Sequence, residues 1–393
     1  MFFYFLSFIL GLITGTFTGL VPGIHTNLIM SLLVLINLKI NTNYLLVYSI
    51  TTAITNTFID FIPSVYFGAP SEDTLLSVSP GHKYLLNKRA HEAVIYTLYG
   101  SVIAIISLIF IFPFFYFALS KIYDFLELFF PFLLTLTILF LIYNSKGKKI
   151  KAFIIIIFSS ILGLIVLNSN ITQPLLPLLT GFFGLSQMIT SINNNSNPPV
   201  QEIKKIKIPK KELISPTLTT IFLSPICSIL PGLGASQAAT FGQIINKNKS
   251  KKQYLILLGS INTLVLSTSI FTLFLINKKR TGLASFISQI IILGKEHLLT
   301  IFLTIFFTTI FASILTIFLS KFFAKNINKI NYKKLSYSII ILIIFLTILI
   351  SKMIGLIVLI TSTLIGLMTI RERCNRTIMM SSIIIPTIIN YIF

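Results

Sequence analysis

Apolar residues fill long blocks of this chain and polar residues are confined to the short gaps between them. The blocks span residues 2–21, 28–38, 44–66, 93–120, 124–143, 152–168 and 171–190. A second series covers 213–230, 236–246, 253–277, 283–294, 297–320, 335–351, 352–370 and 377–393. Most blocks are apolar on every face, the pattern of helices surrounded by lipid or by other helices. A transmembrane helix needs about 20 mostly apolar residues, and the chain has room for about ten or more. The expected fold class is therefore all-α: a polytopic membrane protein in the lipid bilayer. Phe2–Phe17 lacks the basic start of a secretory leader and runs straight into Gly19-Leu-Val-Pro-Gly23, so it reads as part of the mature fold.

Composition agrees with this pattern. Charged residues make up 10% of the chain and the mean hydropathy is +0.93, against about one quarter charged in soluble domains. The formal net charge is +21, but the Lys and Arg residues sit in short loops, as the positive-inside rule expects. No basic stretch is long or aromatic enough for nucleic-acid binding. Cys227 and Cys374 are far apart and have no His or Cys neighbour, so they read as apolar fillers rather than as a disulfide or metal framework.

A polar, lysine-rich connector at Ser191–Lys211 divides the chain nearly in half. It suggests a first transmembrane repeat at 1–195, a basic linker at 196–211 and a second repeat at 212–393. Two motif pairs support a duplication. Gly19-Leu-Val-Pro22-Gly23-Ile-His25-Thr26-Asn27 parallels Ser228-Ile-Leu-Pro231-Gly232-Leu-Gly234-Ala235-Ser236, and Ile54-Thr-Asn56-Thr57 parallels Ser260-Ile-Asn262-Thr263. Placing Lys88-Arg89, Lys146–Lys151, Lys204–Lys211, Lys247–Lys252, Lys321–Lys334 and Arg371–Arg376 inside gives the halves opposite orientation. Each Pro-Gly segment then begins and ends on one side, as a re-entrant helical hairpin. This is the inverted-topology repeat of secondary transporters. Lys278-Lys279-Arg280 falls outside, which the repeat requires or which signals a span count off by one.

Pro and Gly break helices, and in lipid such breaks survive only where protein or a water-filled cavity surrounds them. The half-helix that follows offers free N–H groups and a dipole to anions. His25, Thr26 and Asn27 follow Pro22-Gly23, and Gly234, Ala235, Ser236 and Gln237 follow Pro231-Gly232, a set suited to a carboxylate; a simple kink is the alternative. Asn56, Thr57, Asn262 and Thr263 are polar within apolar blocks and either serve a coupling ion or hold neighbouring helices. Asp60 is the most deeply placed acid, a position typical of ion or proton pathways. Ser71, Asp73, Thr74 and His82 form a polar patch that is either part of the site or a solvated loop. The residues carry no zinc-protease or nucleotide-loop motif and no nucleophile elbow.

Three stretches resemble the large membrane subunit (TctA) family of tripartite tricarboxylate transporters, especially its shorter archaeal members. They are Gly15-Thr-Phe-Thr-Gly19-Leu-Val-Pro22-Gly23-Ile-His25-Thr-Asn27, Gly68-Ala-Pro70-Ser71-Glu-Asp73-Thr74 through Pro80-Gly81-His82 to Ala90–Ser107, and Leu230-Pro231-Gly232-Leu-Gly234-Ala-Ser236 with Gly259-Ser-Ile-Asn262-Thr263. The resemblance implies a permease that takes up a small organic anion, such as a di- or tricarboxylate, by symport with H⁺ or Na⁺. It also implies a small membrane subunit and an extracytoplasmic binding protein as partners, and no further cofactor. The chain departs from the family pattern in its length, in His25-Thr26-Asn27 after the first Pro-Gly, and in the acidity of 71–74. The alternative is a membrane-embedded enzyme or channel built on His25, Asp73 and His82.

Overall fold

The computed structural model describes residues 2–21, 24–36, 40–68, 71, 73–143, 145, 148–192, 199–204, 206–230, 234–245, 250–329 and 332–392. Every regular element among them is helical. In chain order these are α1 (Phe2–Leu20), α2 (Thr26–Ile36), α3 (Thr42–Ile59), α4 (Phe61–Phe67), α5 (Val78–Leu86), α6 (Ala90–Leu128), α7 (Phe130–Tyr143), α8 (Lys149–Leu167), α9 (Leu175–Leu179), α10 (Ser186–Ile192), α11 (Lys210–Ile229), α12 (Ala235–Ile245), α13 (Lys251–Ile276), α14 (Gly282–Ile290), α15 (Lys295–Asn326), α16 (Tyr332–Arg371) and α17 (Ser381–Ile392). Eight of the described helices are long and apolar enough to cross a membrane, and a pair bent by 59°, Lys121–Leu128 with Phe130–Tyr143, makes up to nine. The protein is a multi-pass integral membrane protein.

This count is below the ten or more that the apolar blocks allow, because several blocks are short. α2 and α12 are each 11 residues, about 16 Å of helix, against a hydrocarbon core about 30 Å thick. Blocks 335–351 and 352–370 lie within the one long helix α16, which breaks at Lys352 (φ 56°, ψ −161°). The succession of lengths recurs along the chain. α1 has 19 residues, α2 has 11, and Thr42–Phe67 forms a 26-residue apolar stretch. α11 has 20, α12 has 11 and α13 has 26. α5 and α14 have 9 each.

The chain forms two compact units, and each draws on both sides of the 196–211 linker. The first comprises 1–121, 197–229 and 234–330. At its centre are α3 and α13: 89% and 94% of their apolar windows are buried, against 28–39% for the other candidate spans. Glycines let backbones approach them closely. Gly11, Gly15 and Gly19 recur every fourth residue on α1, and a Cβ there would lie 2.7 Å from Thr51 Cβ, 2.5 Å from Thr52 O and 2.9 Å from Ile59 Cβ. Small residues at this spacing bring lipid-embedded helices together. α6 crosses α13 in the same way. A Cβ on Gly100 would overlap the Ile256 carbonyl, one on Gly259 would overlap the Thr97 carbonyl, and Ser101 Oγ donates to Gly259 O at 3.1 Å.

The second unit comprises 122–196, 230–233 and 331–393. α8 packs on α17, and α16 packs on α9, α10 and the π-helical turn Thr180–Leu185 between them. A π turn spoils the ordinary carbonyl pairing, and Arg376 repairs it. Its guanidinium donates to Phe183 O and Gln187 Oε1, both at 2.7 Å, and to Phe182 O at 3.2 Å. Lys151 binds Glu372, and that hydrogen bond holds the Glu372 carboxyl below its ordinary range.

The α6–α13 crossing generates a stability prediction. Gly100→Ala should lower the midpoint of thermal unfolding in detergent by an amount equivalent to about 1–3 kcal/mol of overpacking. The control Ile109→Leu, at a position 57% exposed on the same helix, should leave the midpoint unchanged.

Candidate functional site

The site residues described lie in the first unit, and Asp60, Ser71, Thr57, Asn262 and Thr263 meet where α3 ends. α3 stops at Ile59 because Asp60 and the following α4 start a new helix, and the Asp60 N–H still closes on Asn56 O. The Asp60 side chain is 4% exposed. Its Oδ2 accepts from Asn262 Nδ2 of α13 at 3.2 Å and from Ser71 Oγ at 3.4 Å, while Oδ1 is buried without a hydrogen-bond partner. Ser71 belongs to a tight turn: its hydroxyl meets Thr74 Oγ1 at 3.0 Å and its N–H donates to the same oxygen. One turn before Asp60, Thr57 Oγ1 lies 3.2 Å from Thr263 Oγ1. Asn56 points elsewhere, donating from Nδ2 to Thr18 Oγ1 on α1 at 3.1 Å.

His25 joins this cluster from the connection between α1 and α2. Its Nε2 lies 3.7 Å from Asp73 Oδ2, and its Nδ1 accepts the Asn27 N–H at 3.3 Å. Thr26 is buried at the start of α2, and the Asn27 side chain fills the space a Cβ on Gly282 would need. At the start of α12, Gln237 Oε1 accepts the Gly234 N–H at 2.9 Å and the Ser236 hydroxyl at 3.3 Å. Ala235, Ser236 and Gln237 are buried, and Gln237 Nε2 has no hydrogen-bond partner. α12 packs on residues 75–77, just beyond Ser71–Thr74. Pro22, Gly23, Pro231 and Gly232 lie outside the described residues. His82 is exposed on α5. Among the described residues, no group of three His, Cys, Asp or Glu side chains is placed to hold a metal.

A buried acid with amides and hydroxyls beside it, and a buried, unpartnered amide nitrogen at the start of α12, suit the handling of a small charged solute and an ion. The family model "Tripartite tricarboxylate transporter TctA family" matches residues 5–381. The chain belongs to the TctA family. TctA proteins are the large subunits of tripartite transporters, which work with TctB and TctC. An uncharacterized protein of Methanocaldococcus jannaschii is 30% identical over 369 residues, covering 89% of each chain. No solved structure matches the chain.

In this TctA protein the structure brings together three sets of expected residues: Asp60 with Asn262 and Ser71, Thr57 with Thr263, and His25 with Asp73. Asn56 and Asn262 take different partners, Thr18 and Asp60. Two positions escaped the sequence reading. Thr18 is an ordinary apolar-block threonine until Asn56 meets it. Arg280 precedes Thr281, whose hydroxyl caps α14 by accepting the Ala284 N–H and meets Ser269 on α13 at 2.9 Å. Arg280 therefore stands two residues from the Gly282–Asn27 contact, and the departure of Lys278–Arg280 from the positive-inside rule was its only signal.

The Thr57–Thr263 contact is directly testable. With Cys227 and Cys374 replaced by Ser, the pair Thr57→Cys and Thr263→Cys should form an oxidant-induced disulfide, since such bonds need Cβ atoms about 3.5–4.5 Å apart. Each single cysteine should not. Failure of the double variant to cross-link in folded protein would contradict the packing of α3 on α13.

Proposed function

We propose that this TctA protein is a secondary active transporter for a small organic anion, such as a di- or tricarboxylate, driven by an H⁺ or Na⁺ gradient. The observation that carries the reading is the Thr57–Thr263 hydrogen bond. It joins the corresponding residues of the two Asn-Thr pairs, as residues beside a two-fold axis between the halves would meet. The matched helix lengths support the same relation: an inverted repeat of 1–195 and 212–393 joined by the basic 196–211 linker, each half with a re-entrant hairpin at its Pro-Gly break.

In this reading the solute carboxylate docks on the half-helix starts that follow Pro22-Gly23 and Pro231-Gly232. Gln237 Nε2 is a buried donor in need of an acceptor, and Gly234, Ala235 and Ser236 border it. His25, Thr26 and Asn27 contribute from the other half, with Ser71, Asp73 and Thr74 bordering the site. Asn56, Thr57, Asp60, Asn262 and Thr263 serve the coupling ion. Access to the site alternates between the two membrane faces. A small membrane subunit and an extracytoplasmic binding protein are the expected partners. Membership of a transporter family weighs against an enzyme, and His82 stands apart, exposed, from the His25–Asp73 pair.

Proteoliposomes containing the protein should accumulate labelled succinate or citrate under an inward H⁺ or Na⁺ gradient. Gln237→Leu should lower kcat/KM about 10- to 100-fold, because a hydrogen bond to a charged group contributes about 1.5–3 kcal/mol. Absence of gradient-dependent flux across a broad carboxylate panel, with folded protein, would refute the reading.

A further inference from the structure

We propose that the coupling ion is a proton, carried by Asp60 and supplied through the His25–Asp73 pair; this rests on the transporter reading above. Asp60 sits between α3 and α4, within a stretch apolar and long enough to span the membrane. The donors that reach it, Asn262 Nδ2 and Ser71 Oγ, are both neutral and both serve Oδ2. Oδ1 is buried and unpartnered. No cationic donor is among its partners, and burying an ionised carboxylate is costly. A protonated carboxyl removes the charge, and its O–H adds a donor.

The surrounding atoms suit a proton better than a metal cation. Hard cations need several oxygen ligands at once. Here Thr57 Oγ1 donates to Ile54 O at 2.8 Å and meets Thr263. Ser71 Oγ is engaged with Thr74, and Asn262 turns its nitrogen to Asp60.

On this proposal the proton's route runs through the same cluster. His25 and Asp73 have side chains 38% and 27% exposed, while Asp60 is buried. Asp73 is two residues from Ser71, whose hydroxyl touches both Thr74 and Asp60. A proton taken from water by His25 or Asp73 passes through the Ser71 hydroxyl and forms an O–H bond on Asp60. When the site opens to the other side that bond breaks and the proton returns to water; no other bond changes. Chains of Asp, Glu and His are the usual proton relays of transporters.

The titratable groups that act on Asp60 include Asp73 and His25. Of the elements packed on α3 and α4, α1 and α2 carry no ionisable side chain except Tyr4 on α1. α13 has Lys251 and Lys252 in its first turn and Tyr254 just after. α14 follows Lys278-Lys279-Arg280. α15 has Lys295, Glu296 and His297 at one end and Lys321 and Lys325 at the other, and α5 carries His82, Lys83 and Tyr84.

Two measurements test the proposal. In Na⁺-free proteoliposomes loaded with a pH-sensitive dye, succinate or citrate uptake should follow an inward proton gradient and acidify the lumen. Asp60→Asn should abolish gradient-driven accumulation while solute exchange continues. His25→Gln and Asp73→Asn should slow proton-driven uptake and shift its pH profile. Uptake driven by Na⁺ and indifferent to the proton gradient, or proton-driven uptake surviving in Asp60→Asn, would overturn the proposal. Infrared difference spectroscopy in nanodiscs needs no solute. The wild type should show a protonated-carboxyl C=O band that Asp60→Asn lacks, and its absence over about pH 5–8, where histidine relays operate, would also overturn it. A panel with no flux at all, but with that band present, would instead refute the transporter reading.

Discussion

Hydrocarbon offers no partner to a hydrogen-bonding group, and the first unit is organised around that constraint. Its two most buried helices, α3 and α13, carry amides, hydroxyls and an acid that lipid would penalise on any outer face. They are turned inward and satisfied by one another: Asn262 with Asp60, Thr57 with Thr263, and Asn56 with Thr18 on α1. Among the buried side-chain atoms left unmatched are Asp60 Oδ1, an acceptor, and Gln237 Nε2, a donor, and each needs a partner that the described residues do not supply.

The inward-facing polar seam requires close packing around it, and glycine provides it. The Gly11-Gly15-Gly19 stripe seats α1 on α3, and Gly100 with Gly259 lets α6 cross α13 nearly backbone to backbone. Larger residues at these points would push the flanking helices off the seam and leave its polar atoms without partners. The second unit solves its own version of the problem with a cation. The π turn at Thr180–Leu185 leaves carbonyls that Arg376 gathers, so a charged side chain there serves the backbone.

Much of this was legible in the sequence, for physical reasons. Apolar blocks free of charge identify membrane helices because hydrocarbon excludes charge, and the four-residue glycine spacing on α1 marks a packing face. The repeated Asn-Thr pairs pointed to residues that do meet, through Thr57 and Thr263. What stayed hidden depends on three-dimensional approach. Nothing local distinguishes Thr18, which matters only because Asn56 reaches it across a helix interface. Arg280 looked like a misplaced loop charge, and it stands two residues before Gly282, which meets Asn27, because Thr281 ties the chain back to α13. The short blocks at α2 and α12 overstated the span count because periodicity reports that a helix is apolar, while only its length decides whether it can cross.

Transport would require this buried seam to open to water during a working cycle. Ser236 is 1% exposed at the start of α12, so a closed, purely structural seam would shield it. With Cys227 and Cys374 replaced by Ser, Ser236→Cys should react in sealed vesicles with a small membrane-impermeant thiol reagent, slowly but to completion. If it stays unlabelled while an exposed control cysteine on the same preparation reacts fully, the seam is a packing device and not a transport site.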